Sequence, residues 1–224
     1  MATVDSKVQP FTINIADEVL EDMYDRLRRT RFPEDYANDD WEYGFNTDYL
    51  RELVAYWIDE FDWREQERQM NELSHYRMDW DGLPLHFIHE KGKGSDPMPL
   101  LLHHGWPWTF WDLKRVIGPL TDPAAHGGDP GDSFDVVLIS LPGHGFSSPN
   151  RQTGWNFHTT ADLEAKLMTE VLGYDRFATA GGDWGALVVG QLGHKHADKL
   201  IGLYSHLPIQ LSHYLPEHPD VRRH

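Results

Sequence analysis

The segment Ala180-Gly181-Gly182-Asp183-Trp184-Gly185-Ala186 constrains this chain more than any other. Before it, Arg176-Phe177-Ala178-Thr179-Ala180 reads as a short strand. After it, Ala186-Leu187-Val188-Val189-Gly190-Gln191-Leu192 reads as an apolar helix. A strand that turns straight into a helix bends so sharply that side chains around the corner collide, which is why glycine flanks it on both sides. The corner residue is thrust out in front of the helix N-terminus, and here it is an aspartate. A carboxylate is already ionised at neutral pH, and a helix N-terminus favours the anion further. It can therefore attack carbon without a base to remove its proton. Carboxylates are weak nucleophiles, so the target must be a strained ring or carry a good leaving group, such as an epoxide or a carbon–halogen bond. Stripped of its surroundings, Gly181-Gly182-Asp183-Trp184-Gly185 reads as a loop whose Asp183 caps the helix.

The surroundings favour the sharp corner. His75-Tyr76-Arg77-Met78-Asp79-Trp80 and Leu83-Pro84-Leu85-His86-Phe87-Ile88 alternate around Asp81-Gly82, a hairpin signal. Pro99-Leu100-Leu101-Leu102-His103 and Asp135-Val136-Val137-Leu138-Ile139-Ser140 are continuous apolar runs, as strands buried on both faces require. Residues 110–120 and 159–172 are expected to be helices, residues 121–133 a Gly/Pro/Asp-rich loop, and Leu200-Ile201-Gly202-Leu203-Tyr204 a final strand. A hairpin followed by strand–helix alternation predicts an α/β sheet, antiparallel at its start and parallel afterwards. Upstream, residues 1–10 read as a disordered lead-in. A helix follows with Asp17 as its cap, a second opens at Thr47 with Leu50, Leu53, Val54, Trp57 and Ile58 on one face, and a third follows Asp62. Two domains are expected: a helical section over 1–74 and the sheet-bearing core over 75–224.

Composition narrows the function. A net charge of −16 argues against nucleic-acid binding through a basic footprint. The chain has no cysteine, which removes thiol catalysis and thiolate metal sites. It contains no apolar run of membrane-spanning length and no apolar signal core at its start, so a cytoplasmic protein is the expectation. His103 and His104 are adjacent and point to opposite sides of an extended segment. No metal site is expected from them, and none elsewhere. Ser147 reads as a turn residue, and His194 and His196 as solvent-facing.

Three loops follow the carboxyl ends of the expected parallel strands, where open α/β sheets hold their ligands. They are His103-His104-Gly105-Trp106-Pro107-Trp108, Leu141-Pro142-Gly143-His144-Gly145-Phe146-Ser147, and the Asp183 corner. His-Gly-Trp-Pro after a buried strand suits an oxyanion hole, with the Trp106 N–H turned inward beside the N–H of Trp184. In these motifs, and in the helical section before them, the chain resembles the epoxide hydrolases of the microsomal and juvenile-hormone type, from about Pro10 onward. The resemblance implies an α/β-hydrolase fold with an N-terminal helical meander, truncated after about strand 6. It implies cofactor-free addition of water to a small apolar epoxide, giving a vicinal diol through an Asp183 alkyl ester. Trp106 and Trp184 are the implied oxyanion amides, with His104, Pro107 and Phe146 lining the substrate pocket. Haloalkane dehalogenases, which also place tryptophan after a nucleophilic aspartate, are the alternative, as is a non-catalytic fragment. The same family needs a histidine–acid pair and two lid tyrosines that these motifs do not supply. The chain is therefore expected to be weakly active or inactive alone, with a C-terminal complementary half or a second copy as partner.

Overall fold

The structure is a computed structural model that describes residues 7–207. The described residues fall into two compact units, one over Thr12–Glu72 and one formed by the residues up to Phe11 together with those from Leu73 onward.

The first unit carries α1 (Asp17–Arg28), α2 (Thr47–Asp59) and α3 (Trp63–Met70). Asn46 caps α2 by accepting the Tyr49 N–H at 3.0 Å, and Asp62 caps α3 by accepting the Glu65 N–H at 3.1 Å. Residue 16 is the cap position of α1 and is alanine. Asp17, expected to be the cap, is instead the first helical residue, where its charge suits the dipole but its side chain bonds no N–H of the first turn. Asn71 ties the start of the unit to its end: its Oδ1 accepts from Ile13 N–H and its Nδ2 donates to Ile13 O, both at 2.9 Å.

The second unit is built on a seven-stranded sheet. Its strands are β1 (Gln9–Pro10), β2 (His75–Trp80), β3 (Leu83–Glu90), β4 (Met98–His103), β5 (Phe134–Ile139), β6 (Phe177–Gly181) and β7 (Leu200–Ser205), in the order β1-β2-β3-β5-β4-β6-β7. The first four in that order pair antiparallel, and β5, β4, β6 and β7 are parallel. Asp81 and Gly82 both take positive φ, 53° and 86°, as a two-residue hairpin turn demands. Gln9–Pro10 pairs with Arg77 and Tyr76 as an edge strand, so the described part of the supposed lead-in is ordered by backbone hydrogen bonding. The helix expected over 110–120 is a 3-10 turn (Phe110–Leu113) followed by α4 (Lys114–Thr121). The next helix starts earlier than expected, as α5 (Phe157–Lys166), because Asn156 caps it by accepting from both His158 and Thr159 N–H groups. The last α-helix among the described residues is α6 (Trp184–Lys195).

Val136, Val137, Leu138 and Ile139 of β5 have no exposed surface, which explains their unbroken apolar run. Burial of such side chains contributes about 1.5–3 kcal/mol each. From β4 the chain first winds to β5 on one side and later to β6 on the other. The carboxyl end of β4 is thus a topological switch point, where the loops on either side splay and leave a crevice. His103 pairs with Gly181, so β4 and β6 end level with one another. Among the described residues β7 is the far edge of the sheet, with Ile201, Leu203 and Tyr204 exposed. No helix among the described residues is long and apolar enough to cross a membrane.

Candidate active site

Asp183 sits between the last residues of β6 and the first of α6 at φ 50°, ψ −124°. Backbone conformations of this kind cost a non-glycine residue about 1–3 kcal/mol and persist only where the surroundings enforce them. Its side chain makes no capping bond to α6, which removes the loop-and-cap reading. The carboxylate instead accepts a hydrogen bond from the Trp106 N–H, at 2.8 Å to Oδ1.

The glycines around the corner are there for close approach. A Cβ on Gly185 would lie 2.5 Å from His103 Cβ, and one on Gly181 would lie 2.9 Å from the Gly185 carbonyl carbon. On Gly182 it would fall 1.9 Å from the His206 ring, and on Gly105 2.8 Å from Asp183 Cβ. Gly185→Ala therefore forces β4 and α6 apart. It should cost about 1–3 kcal/mol by overpacking, read as a lower midpoint in urea denaturation; an unchanged midpoint would show that the corner has room.

Neither His103 nor His104 faces open solvent. The His104 ring is buried: Nδ1 donates to Gly105 O at 2.9 Å and Nε2 accepts the Leu141 N–H at 3.1 Å. Burial pushes its pKa down to about 4, because an imidazolium would lose its hydration and could no longer accept from Leu141. His104 thus ties the loop after β4 to the loop after β5 rather than lining a pocket. The Trp106–Pro107 peptide is cis. Trp106, Trp108 and Trp184 expose their indoles, and the Trp184 N–H has no hydrogen-bond acceptor among the described residues.

In the loop after β5, Ser147 Oγ donates to Ser140 O at 2.7 Å and accepts the His86 N–H at 2.9 Å. This makes Ser147 a fully buried brace of the turn. Ser140 Oγ and His75 Nδ1 bond the two ring nitrogens of His86, at 2.8 and 2.9 Å. Burial foremost, then the His75 and Arg77 charges, push the His86 pKa down to about 3. Phe146 packs its ring on Phe11, His86 and Phe110 at centroid distances of 5.3–5.8 Å. Its half-buried ring belongs to that aromatic cluster. Of the three expected wall residues, only Pro107 is exposed, in a surface depression with Trp108 and Trp111. The cavity that touches Trp184 is lined by Leu141, Pro142, His144, Phe157 and Val188, none of which the loop motifs singled out as pocket residues. Phe157 and Val188 come from α5 and α6, and only the packing of those helices brings them there.

Sequence reasoning also passed over a pair beneath the corner. His103 Nε2 lies 2.7 Å from Glu164 Oε2, with both side chains fully buried. The signal was a glutamate on the otherwise buried face of α5 formed by Thr160, Ala161, Leu163 and Ala165. His196, expected in solvent, is half-buried and bonds Asp162 at 2.8 Å, while His194 is exposed. Among the described residues no group of three or more His, Cys, Asp or Glu could hold a metal ion.

Residues 8–113 match the family described as epoxide hydrolase N terminus, and residues 98–223 match the family described as alpha/beta hydrolase fold. Epoxide hydrolase 1 of Oryctolagus cuniculus is 37% identical over 215 residues, an alignment that covers 94% of this chain and 47% of that protein. Among solved structures, the juvenile hormone epoxide hydrolase of the silkworm Bombyx mori superposes with a TM-score of 0.78 at 27% identity, over 90% of this chain and 53% of that one. The Aspergillus niger epoxide hydrolase superposes with a TM-score of 0.79 at 27% identity, over 91% and 53%. The chain spans about half the length of the relatives it matches.

Proposed function

Since the chain belongs to the alpha/beta hydrolase fold family, with an epoxide-hydrolase N-terminal section, we propose that it carries the nucleophilic half of an epoxide-opening reaction on small apolar epoxides. The observation that carries this reading is the Trp106 N–H···Asp183 Oδ1 bond at 2.8 Å. With Oδ1 held, Oδ2 is the free attacking oxygen. It forms a bond to a ring carbon, the carbon–oxygen bond of the epoxide breaks, and the released alkoxide takes up a proton. The product is a hydroxyalkyl ester whose carbonyl oxygen is the former Oδ1, still facing Trp106. Water then adds to the ester carbon, and the charge that develops on that oxygen falls between the Trp106 and Trp184 amides. One such donor is typically worth about 3–4 kcal/mol of barrier. Collapse releases the diol and regenerates the carboxylate, so epoxide plus water gives diol with nothing left over.

The second half-reaction needs a base to activate water. None of the described histidines bonds Asp183, so the ester is expected to accumulate on this chain. The base and the proton donor to the alkoxide are assigned to a complementary half or a second copy. The exposed parallel edge at β7 is the proposed seat for whatever strand brings them, from a complementary half or a second copy. The test is intact-mass spectrometry after incubation with styrene oxide, with peptide mapping. One adduct per chain on the Asp183 peptide, with little diol formed, is the expected result. An unmodified Asp183 peptide after prolonged exposure would overturn the proposal, and steady diol release by the chain alone would overturn the stalled second step.

A further inference from the structure

We propose that the buried His103–Glu164 pair is a positioning element that holds the Trp106 amide and the Asp183 carboxylate in register. Nothing in the chemistry above uses either residue. His103 Nδ1 lies 3.1 Å from the Ala180 carbonyl oxygen and Nε2 2.7 Å from Glu164 Oε2. A carbonyl only accepts, so Nδ1 carries a hydrogen, and the ring and the carboxyl share one further proton across the second contact. Burial disfavours the charged ring, but the Glu164 carboxylate and the Ala180 carbonyl outweigh it and raise the His103 pKa. The short contact and the raised pKa favour that proton on the ring side of the pair.

The ring joins three elements at one point. His103 is the last residue of β4, which leads through Gly105 to the Trp106 donor. Ala180 lies on β6, which leads through Gly181 and Gly182 to Asp183. Glu164 comes from α5 behind them. The fit is tight, because a Cβ on Gly181 or Gly185 would already lie within 3.1 Å of His103 Cβ. Sliding β4 against β6 would open the 2.8 Å contact between donor and carboxylate, and the ring bonded to both strands opposes that slide.

The pair is also a poor way to gain stability alone. Glu164 Oε1 is buried without a hydrogen-bond partner among the described residues, and apolar replacements of buried ion pairs are often neutral or stabilising. That separates positioning from packing. An apolar variant can keep the fold and still lose the register.

The inference rests on the proposed Asp183 chemistry only for what the register serves; the register is read without any epoxide, so a failed labelling experiment leaves this test standing. The measurement is amide hydrogen exchange by NMR on the full chain, for wild type, Glu164→Gln and the double variant His103→Leu/Glu164→Leu. The Trp106 amide, protected in wild type by Asp183, is expected to exchange about tenfold or more faster in both variants, while the Val137 amide of β5 stays within about twofold. The His103 ring should titrate at a lower pH in Glu164→Gln than in wild type, because the carboxylate that raises its pKa is gone. Unchanged Trp106 exchange in a variant that keeps its Val137 protection would overturn the proposal. If Glu164→Gln does not fold, the double variant, which leaves no unpaired charge, decides between the two outcomes.

Discussion

Asp183→Asn is expected to abolish covalent labelling by an epoxide, slowing adduct formation by at least about a thousandfold, with the fold retained. An asparagine keeps the shape of the side chain and a carbonyl oxygen for the Trp106 N–H, so the 2.8 Å contact has an acceptor in both proteins. The change removes the proposed attacking anion and nothing that packs. The strained backbone at φ 50° is enforced by Gly181, Gly182 and Gly185 around it, none of which is altered. The melting curve should therefore move by only a few degrees at most, which separates lost chemistry from lost structure. Intact-mass kinetics with styrene oxide on both proteins decide the matter. Labelling of Asp183→Asn at the wild-type rate would place the reactive carboxylate elsewhere and remove the nucleophile assignment.

The second large effect is on acid stability. His86 and His104 are held neutral in the folded protein, with pKa values pushed down by burial to about 3 and about 4. An unfolded histidine has a pKa near ~6.5, so below that pH the unfolded chain binds a proton at each of these positions that the folded chain refuses, and His89, also lowered by burial, acts in the same sense. Unfolding then takes up protons, and stability falls as pH falls. The contribution is complete above about pH 6.5 and is lost progressively down to about pH 4 for His104 and about pH 3 for His86, on the order of 3 and 5 kcal/mol respectively. His103 acts in the opposite sense. Its raised pKa adds stability that is present at low pH and is lost as pH rises through its folded value. The lowered carboxylates Asp135 and Asp162 contribute above the usual carboxylate range and lose that contribution only as pH drops below it. The buried neutral histidines therefore set the sign of the change between about pH 6.5 and 4.5. Urea denaturation at several pH values should show the midpoint dropping steeply there, and His86→Gln should flatten the slope. A midpoint that does not move across the interval would mean that both rings already accept protons in the folded state.

What the sequence determined by itself was whatever depends on neighbours along the chain. The glycines around Asp183 can be read as a sharp corner because the clash they avoid is local, and the apolar runs at Leu100–Leu102 and Val136–Ile139 announce buried strands because burial on both faces leaves no polar position. The Asp81-Gly82 turn follows from two residues that tolerate positive φ. Departures from expectation were also local in origin: Asn156 displaced the expected start of α5, and a two-residue strand at Gln9–Pro10 is too short to leave a pattern. Only the tertiary structure decided which residues meet across the chain. It turned His104 and Phe146 inward to brace loops, brought Phe157 and Val188 to the cavity beside Trp184, and placed Glu164 against His103 from a helix 61 residues downstream. A side chain's period along a strand or helix fixes which face it takes. What stands opposite that face is set by sheet order and helix packing, which no local pattern encodes.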